Sequence, residues 1–312
     1  MESLVNKMEN NVLENLFRSG SQDDIRKFIG EFSSSPDLIR WMKTRPTGNV
    51  NVIEVKGNKD IAVIIPTANA SGKIARNCQD TIFKGLSIFF VESGINDPYF
   101  NYARSCNRGI EAAKEKGFRW IIVSNDDMIA IDPVSKLMSG LGDIEEHSVI
   151  FTKPYGKYHS YQVKVGKRSN LKLLYHLTHG YGGLSLYKLE VEIQKKFQSL
   201  YTLENMSIWH RFFNHETVRF VNIGSFGIFN SNFLEKRSWK LFDETYINGI
   251  EDADLSLSIR KDKIDFGFMN FRIGDMIGSS LGGYSDNRLT RDFINLVYFN
   301  SKHAGYLSQM SK

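Results

Sequence analysis

The sequence predicts an α/β protein built on a parallel sheet, and three short apolar runs separated by helical and polar segments carry that prediction. The runs are Ile61-Ala62-Val63-Ile64-Ile65, Ile88-Phe89-Phe90-Val91 and Trp120-Ile121-Ile122-Val123. Each is continuous rather than alternating, as expected of strands covered on both faces. Between the second and third, residues 101–116 read as a helix with Ala103, Ile110 and Ala113 on one face. Right-handed crossovers then place successive strands parallel. Pro66-Thr67, Glu92-Ser93 and Asn125-Asp126-Asp127 follow the three runs. In open α/β sheets ligands bind beyond such carboxyl ends.

The other segments follow in order. Residues 1–58 read as an N-terminal helical extension of two or three short helices. Leu4, Val5, Met8, Val12, Leu13 and Leu16 recur near helical spacing, and Ser21 could cap a second helix through Ile25, Phe28 and Ile29. No chemistry is visible there, so packing or homo-oligomer formation is the expected role. Residues 59–285 form the main domain. Within it, residues 140–220 are a basic, partly helical insertion. From His147 to Leu189 it holds no acidic residue, while Lys153, Lys157, Lys164, Lys167, Arg168, Lys172 and Lys188 alternate with six tyrosines. Residues 187–215 look largely helical, and Gly180, Gly182 and Gly183 suggest a mobile loop. Residues 286–312 form a C-terminal helix, strongest over 290–304.

Bulk properties exclude several classes. A net charge of +5 with 41% hydrophobic residues suits a globular protein handling anionic substrates, and is too weak for a nucleic-acid partner. The two cysteines, Cys78 and Cys106, fit no zinc or redox spacing and exclude a disulfide framework. A reducing, cytoplasmic location is expected. No signal peptide or membrane-spanning run is apparent, which leaves peripheral membrane contact open.

Two acidic groups could carry chemistry. Asp126 and Asp127 directly follow the third strand. Adjacent carboxylates repel, and a divalent cation that also binds phosphates would relieve this. Turn formation explains an Asn-Asp-Asp triplet as well. The second group is Glu251-Asp252-Ala253-Asp254-Leu255, opening a segment with Leu255 and Ile259 at helical spacing. Acids there suit the helix dipole, and one could equally act as a general base. His176 with His179, and His210 with His215, lack partners for a metal set and read as surface or packing residues.

Taken together, five motifs occur in order. They are Val63-Ile64-Ile65-Pro66-Thr67, Asn107-Arg108-Gly109-Ile110 with Ala112-Ala113, Asn125-Asp126-Asp127, Phe242-Asp243-Glu244 and Glu251-Asp252-Ala253-Asp254-Leu255. In this order they resemble the family 2 glycosyltransferases, especially the rhamnosyltransferase-like branch. The likeness covers residues 61–141 and 222–283. It implies the GT-A fold, a Rossmann-like mixed sheet flanked by helices.

The resemblance also implies roles. Pro66 and Thr67 would line the nucleotide pocket, and Glu92 would bond the base, although the family more often has Asp there. Arg104 and Asn107 would lie on the helix closing over the nucleotide. Asn125 and Asp126 would contact the donor, Asp127 would bind the metal, and Asp252 would be the catalytic base. Asp275, in Asp275-Met276-Ile277-Gly278-Ser279-Ser280, stands where similar enzymes often carry a metal-binding His, and oxygen there suits Mn²⁺ or Mg²⁺.

The implied activity is inverting transfer of a sugar from a nucleotide-diphosphate sugar to a hydroxyl. The acceptor would be a glycan, a lipid-linked glycan or another anionic molecule met by the basic insertion. Two other readings stay open: a nucleotidyltransferase making sugar-nucleotides, for which 67–73 poorly approximates the usual Gly-rich loop, and a non-catalytic sugar-nucleotide-binding protein.

Overall fold

A strand covered on both faces must be apolar at every position, and the central strands meet that condition. The computed structural model describes residues 22–95, 97, 99–144, 147–152, 162–167, 183–205, 216–275 and 286–311. The chain runs through α1 (Gln22–Gly30), α2 (Ser35–Thr44), β1 (Asn51–Val55), β2 (Asn58–Thr67), α3 (Lys73–Asn77) and a π-helical turn (Cys78–Ile82). Next come β3 (Leu86–Glu92), α4 (Tyr102–Lys114), β4 (Trp120–Ser124), β5 (Met128–Ala130), α5 (Val134–Asp143) and β6 (Val149–Thr152). Then follow β7 (Gln162–Lys167), α6 (Gly183–Lys196), β8 (Tyr201–Asn205), β9 (Glu216–Val221), β10 (Phe226–Asn230) and α7 (Ser231–Lys236). The last elements are α8 (Glu251–Lys261), β11 (Phe266–Met269), β12 (Ile273–Asp275) and α9 (Asp286–Met310).

Seven strands form one mixed sheet in the order β1-β3-β2-β4-β10-β6-β11. The predicted trio β3-β2-β4 is parallel. β1 and β10 run antiparallel to their neighbours, so the sheet is mixed rather than purely parallel. Side-chain alternation assigns the two faces. Ile61, Val63, Ile65, Ile88, Phe90, Trp120 and Ile122 point to one, where α3, the π turn and α5 add Ala75, Cys78, Ile82, Leu137 and Leu141. Ala62, Ile64, Phe89, Val91, Ile121 and Val123 point to the other, covered by Ala103, Cys106, Ile110 and Ala113 of α4. Gly109 permits the close approach of α4, since a Cβ there would lie 2.3 Å from Ile64 Cγ2.

A third core joins the N-terminal helices to the rest. Ile25, Phe28, Leu38 and Met42 pack with Val163, Val218, Leu189, Leu257, Ile294 and Phe299. Beneath them β8-β7-β9 forms a separate three-stranded antiparallel sheet. Among the described residues, no helix is long and apolar enough to cross a membrane.

Several local expectations change. Helix was expected through residue 58, but Asn51–Val55 is an edge strand. Its apolar side chains Val52, Ile53 and Val55 are only half-buried, so its apolar alternation is faint. Within the 140–220 insertion, β6 is a fully buried strand of the main sheet. The helix expected over 187–215 ends at Lys196, where Gln198 turns left-handed (φ 53°) and β8 follows. Lys164, counted among the basic residues of the insertion, is 2% exposed within β7. Lys153, Lys157, Arg168 and Lys172 lie outside the described residues, as do His176, His179, His210, His215, Gly180 and Gly182. The C-terminal helix is longer than 290–304, spanning Asp286–Met310.

Candidate functional site

The parallel register brings the polar strand ends side by side. Thr67 at the end of β2 stands opposite Glu92 at the end of β3. Ile64 pairs with Val123 of β4, so three residues onward the two chains present Thr67 and Asp126. The Thr67 hydroxyl donates to Asp126 Oδ2 at 2.8 Å. Glu92 Oε2 accepts the Ala70 amide at 2.7 Å and pins the loop that follows β2. Pro66 is buried opposite Val91. Four sequence-predicted residues thus gather at the carboxyl ends of the central strands.

Asp126 and Asp127 differ in environment. Burial pushes the Asp126 carboxyl upward, the Thr67 hydroxyl pulls it down, and the Asp127 charge pushes it up again. Cys78 Sγ lies 3.0 Å from the Asp126 carbonyl. Burial, reinforced by Asp126 and Asp127, pushes that thiol up to about 12, so it stays protonated and is no nucleophile. Asp127 is 5% exposed and opens directly into β5.

β5 pairs antiparallel with β12, which sets Asp275 opposite Met128. Asp275 therefore stands one position from Asp127 across the ladder. The Arg272 guanidinium clamps the far end of the pair on Asp132 Oδ1, at 3.1 Å from Nε and 2.7 Å from Nη2. Asp127 and Asp275 both carry carboxylate oxygens, the donor type preferred by hard divalent cations. Among the described residues, no group of three or more His, Cys, Asp or Glu could hold a metal ion. An ion at this pair would need further oxygens from a ligand.

Asp252 sits in the first turn of α8. Its Oδ1 accepts the Ala253 amide at 2.8 Å and its Oδ2 accepts Asn222 Nδ2 at 2.7 Å. Glu251 beside it is 7% exposed, and its Oε2 accepts the Gly249 amide at 2.6 Å. Burial, then the Asp252 charge, pushes the Glu251 carboxyl up to about 7. Asn248 (φ 44°) and Ile250 (φ 72°) take left-handed backbone immediately before the acids. For a β-branched residue this conformation costs about 1–3 kcal/mol, a strain that tends to gather at working sites.

α4 reaches this region through its N-terminus. Asn101 caps the helix by accepting the Arg104 amide at 2.9 Å, and donates to the Glu244 carbonyl at 2.9 Å. Asn107 is 5% exposed. Its Nδ2 donates to the Phe242 carbonyl (2.9 Å) and Glu244 Oε1 (3.0 Å), and its Oδ1 accepts the Leu241 and Phe242 amides. Both ends of its amide hold the 241–244 segment. Arg104 is half-buried on the same helix.

The loop between β9 and β10 joins the two acidic groups. At one end Asn222 holds Asp252. Three residues on, the Ser225 hydroxyl donates to Asp275 Oδ2 at 3.2 Å, and the Ser225 carbonyl accepts the Asn125 amide at 3.0 Å. Three residues span at most about 11 Å between Cα atoms, so the residues bonded to Asp252 and to Asp275 sit on one short loop. The sequence reading missed Asn222, Ser225 and Ser256. The signal available was slight: one polar residue between Val221 and Ile223, and a Gly224-Ser225 turn before a strand.

No protein-family model matches the chain, and no curated protein matches it.

Proposed function

We propose that the chain is an inverting glycosyltransferase of the GT-A kind, taking its donor from a nucleotide-diphosphate sugar. The observation that supports this reading is the 222–225 loop, which bonds to Asp252 at one end and to Asp275 at the other. A ligand with an anionic end and a reactive centre a few bonds away would join the two groups. Thr67, Glu92 and the loop after β2 would receive the nucleoside, with Arg104 and Asn107 on the adjoining helix and Asn125 and Asp126 toward the sugar. Asp127 and Asp275 would hold Mg²⁺ or Mn²⁺ together with diphosphate oxygens, and the ion would supply neutralising charge for the leaving group.

Asp252 takes the proton from the acceptor hydroxyl, whose oxygen attacks the anomeric carbon. The bond to the nucleoside diphosphate breaks on the opposite face, so configuration inverts. The partners are therefore the nucleotide-sugar and a hydroxyl-bearing glycan or lipid-linked glycan. Thermal-shift screening of UDP-, dTDP- and GDP-sugars with and without MnCl₂ tests donor binding, because a ligand favouring the fold raises Tm. Nucleoside diphosphate release tests the chemistry. Asp252→Asn should lower it by at least 10²-fold, and Asp127→Ala should abolish the Mn²⁺-dependent part of the thermal shift. Full transfer by Asp252→Asn would remove this residue from the base role. Pyrophosphate release from a nucleoside triphosphate would point to a nucleotidyltransferase instead.

A further inference from the structure

A carboxylate in the first turn of a helix can rotate about two side-chain bonds, yet a general base works only with one oxygen aimed at the proton it takes. Asp252 is held against such rotation. Asn222 follows β9 and is 1% exposed. Its Nδ2 donates to Asp252 Oδ2 at 2.7 Å, and its Oδ1 accepts from the Ser256 hydroxyl at 3.0 Å. Ser256 lies one turn along α8 and is 2% exposed. Its oxygen accepts the Ile223 amide at 3.0 Å, and its one proton is shared between Asn222 Oδ1 and the Asp252 carbonyl, which lies at 2.7 Å. Asn222 is thus locked by a side chain of the helix whose acid it orients.

We propose that Asn222, locked by Ser256, is the positioning residue for the Asp252 carboxylate. The inference rests on Asp252 being the base. A loop anchor would need only the Ser256 contact, whereas the donor side of the amide is spent on the acid itself. Asn222 engages one lone pair of Oδ2 and Ala253 one of Oδ1, so with the carboxylate fixed the free lone pair on each oxygen has a set direction in which to accept a proton. The charged and titratable groups that act on Glu251 and Asp252 include Arg45 after α2, Tyr102 and Cys106 of α4, and Asp292 of α9.

The experiment combines kinetics with crystallography on Asn222→Leu, Ser256→Ala, Asp252→Asn and the Asn222→Leu/Asp252→Asn double variant. The probe is whichever UDP-, dTDP- or GDP-sugar the wild type turns over fastest with MnCl₂, read as nucleoside diphosphate release. Asn222→Leu should lower kcat at least 30-fold with the donor KM within twofold, and its crystal structure should show the Asp252 carboxylate in another rotamer. Adding Asn222→Leu to Asp252→Asn should lower kcat no further, since residues acting through one another are not additive. If Asn222→Leu does not fold, Ser256→Ala should show about a tenfold loss of kcat with the same rotation. Wild-type kcat with an unmoved carboxylate, or a full additional loss on top of Asp252→Asn, overturns the proposal. Full activity of Asp252→Asn overturns the base reading and this inference together. An inactive Asp252→Asn beside a fully active Asn222→Leu sinks only the positioning role.

Discussion

Replacing Glu251 with Gln should leave the protein no more stable in mild acid and distinctly more stable in mild base. Glu251 is 7% exposed, and burial, then the charge of Asp252, moves its carboxyl from the ordinary 4.5 up to about 7. In the unfolded chain it ionises near 4.5, so between that pH and about 7 the fold keeps a proton that the unfolded chain has released. The folded state's advantage is therefore complete below about 4.5 and is lost as pH rises through about 7. The gap is worth roughly 3 kcal/mol, at about 1.4 kcal/mol per pH unit. Glutamine carries no charge and keeps an oxygen for the Gly249 amide. With an unfolding entropy of about 2.1 cal/mol/K per residue over 312 residues, 1 kcal/mol moves Tm by roughly 1.5 °C. The Tm difference between Glu251→Gln and wild type should thus grow by about 5 °C between pH 4.5 and pH 8, read by differential scanning calorimetry. Asp252→Asn should narrow that window, because it removes the second cause of the shift. A Tm difference that stays flat across the range refutes the reasoning.

Three further outcomes follow from the packing. Arg45 is 8% exposed and donates to the Met42, Glu244, Thr245 and Tyr246 carbonyls, so Arg45→Met should cost about 3–5 kcal/mol in urea unfolding, and a loss below about 1 kcal/mol would show the carbonyls finding other donors. Gly109→Ala gains about 1 kcal/mol of helix propensity, but its Cβ would meet Ile64 Cγ2 at 2.3 Å and Val91 Cγ2 at 2.8 Å; overpacking should win, for a net loss of about 1–2 kcal/mol. Lys302 bonds Asp243 and Asp254 at 2.7 Å each, and Lys302→Met should cost about 2–3 kcal/mol at neutral pH. Burial opposes ionisation of Asp243, but Lys302 and Tyr298 overcome it and hold the carboxyl at about 2. That stabilisation is present above the unfolded value of 3.8 and lost as pH falls through about 2, so the variant's deficit should shrink in acid.

Much of the sheet was legible because a strand buried on both faces writes its burial into consecutive residues. Residues 61–65, 88–91 and 120–123 needed no partner to be recognised, and each lies inside an observed strand. Edge and small-sheet strands were not legible in this way. β1 exposes Asn51 and Glu54, and β7 carries a buried lysine, so neither shows a clean period. Of the N-terminal helices α1 was visible from Ile25, Phe28 and Ile29, whereas the helix read over Leu4 to Leu16 and its neighbour Ser21 lie outside the described residues; the place of α1 in a core with α6, α8 and α9 was not legible. An amphipathic helix specifies a buried face without naming its partner.

The site divides along the same line. The sequence by itself placed Thr67, Glu92 and Asp126 at strand ends, because the apolar runs stop where the chain leaves the sheet. It also placed Asp252 in a helix's first turn, because acids gather there. Only the tertiary structure decided which segments stand next to each acid. β12 brings Asp275 beside Asp127 from 148 positions away, and Asn222 meets Asp252 across 30. Those pairings depend on strand register and on one loop between antiparallel strands, and neither leaves a local pattern in the chain.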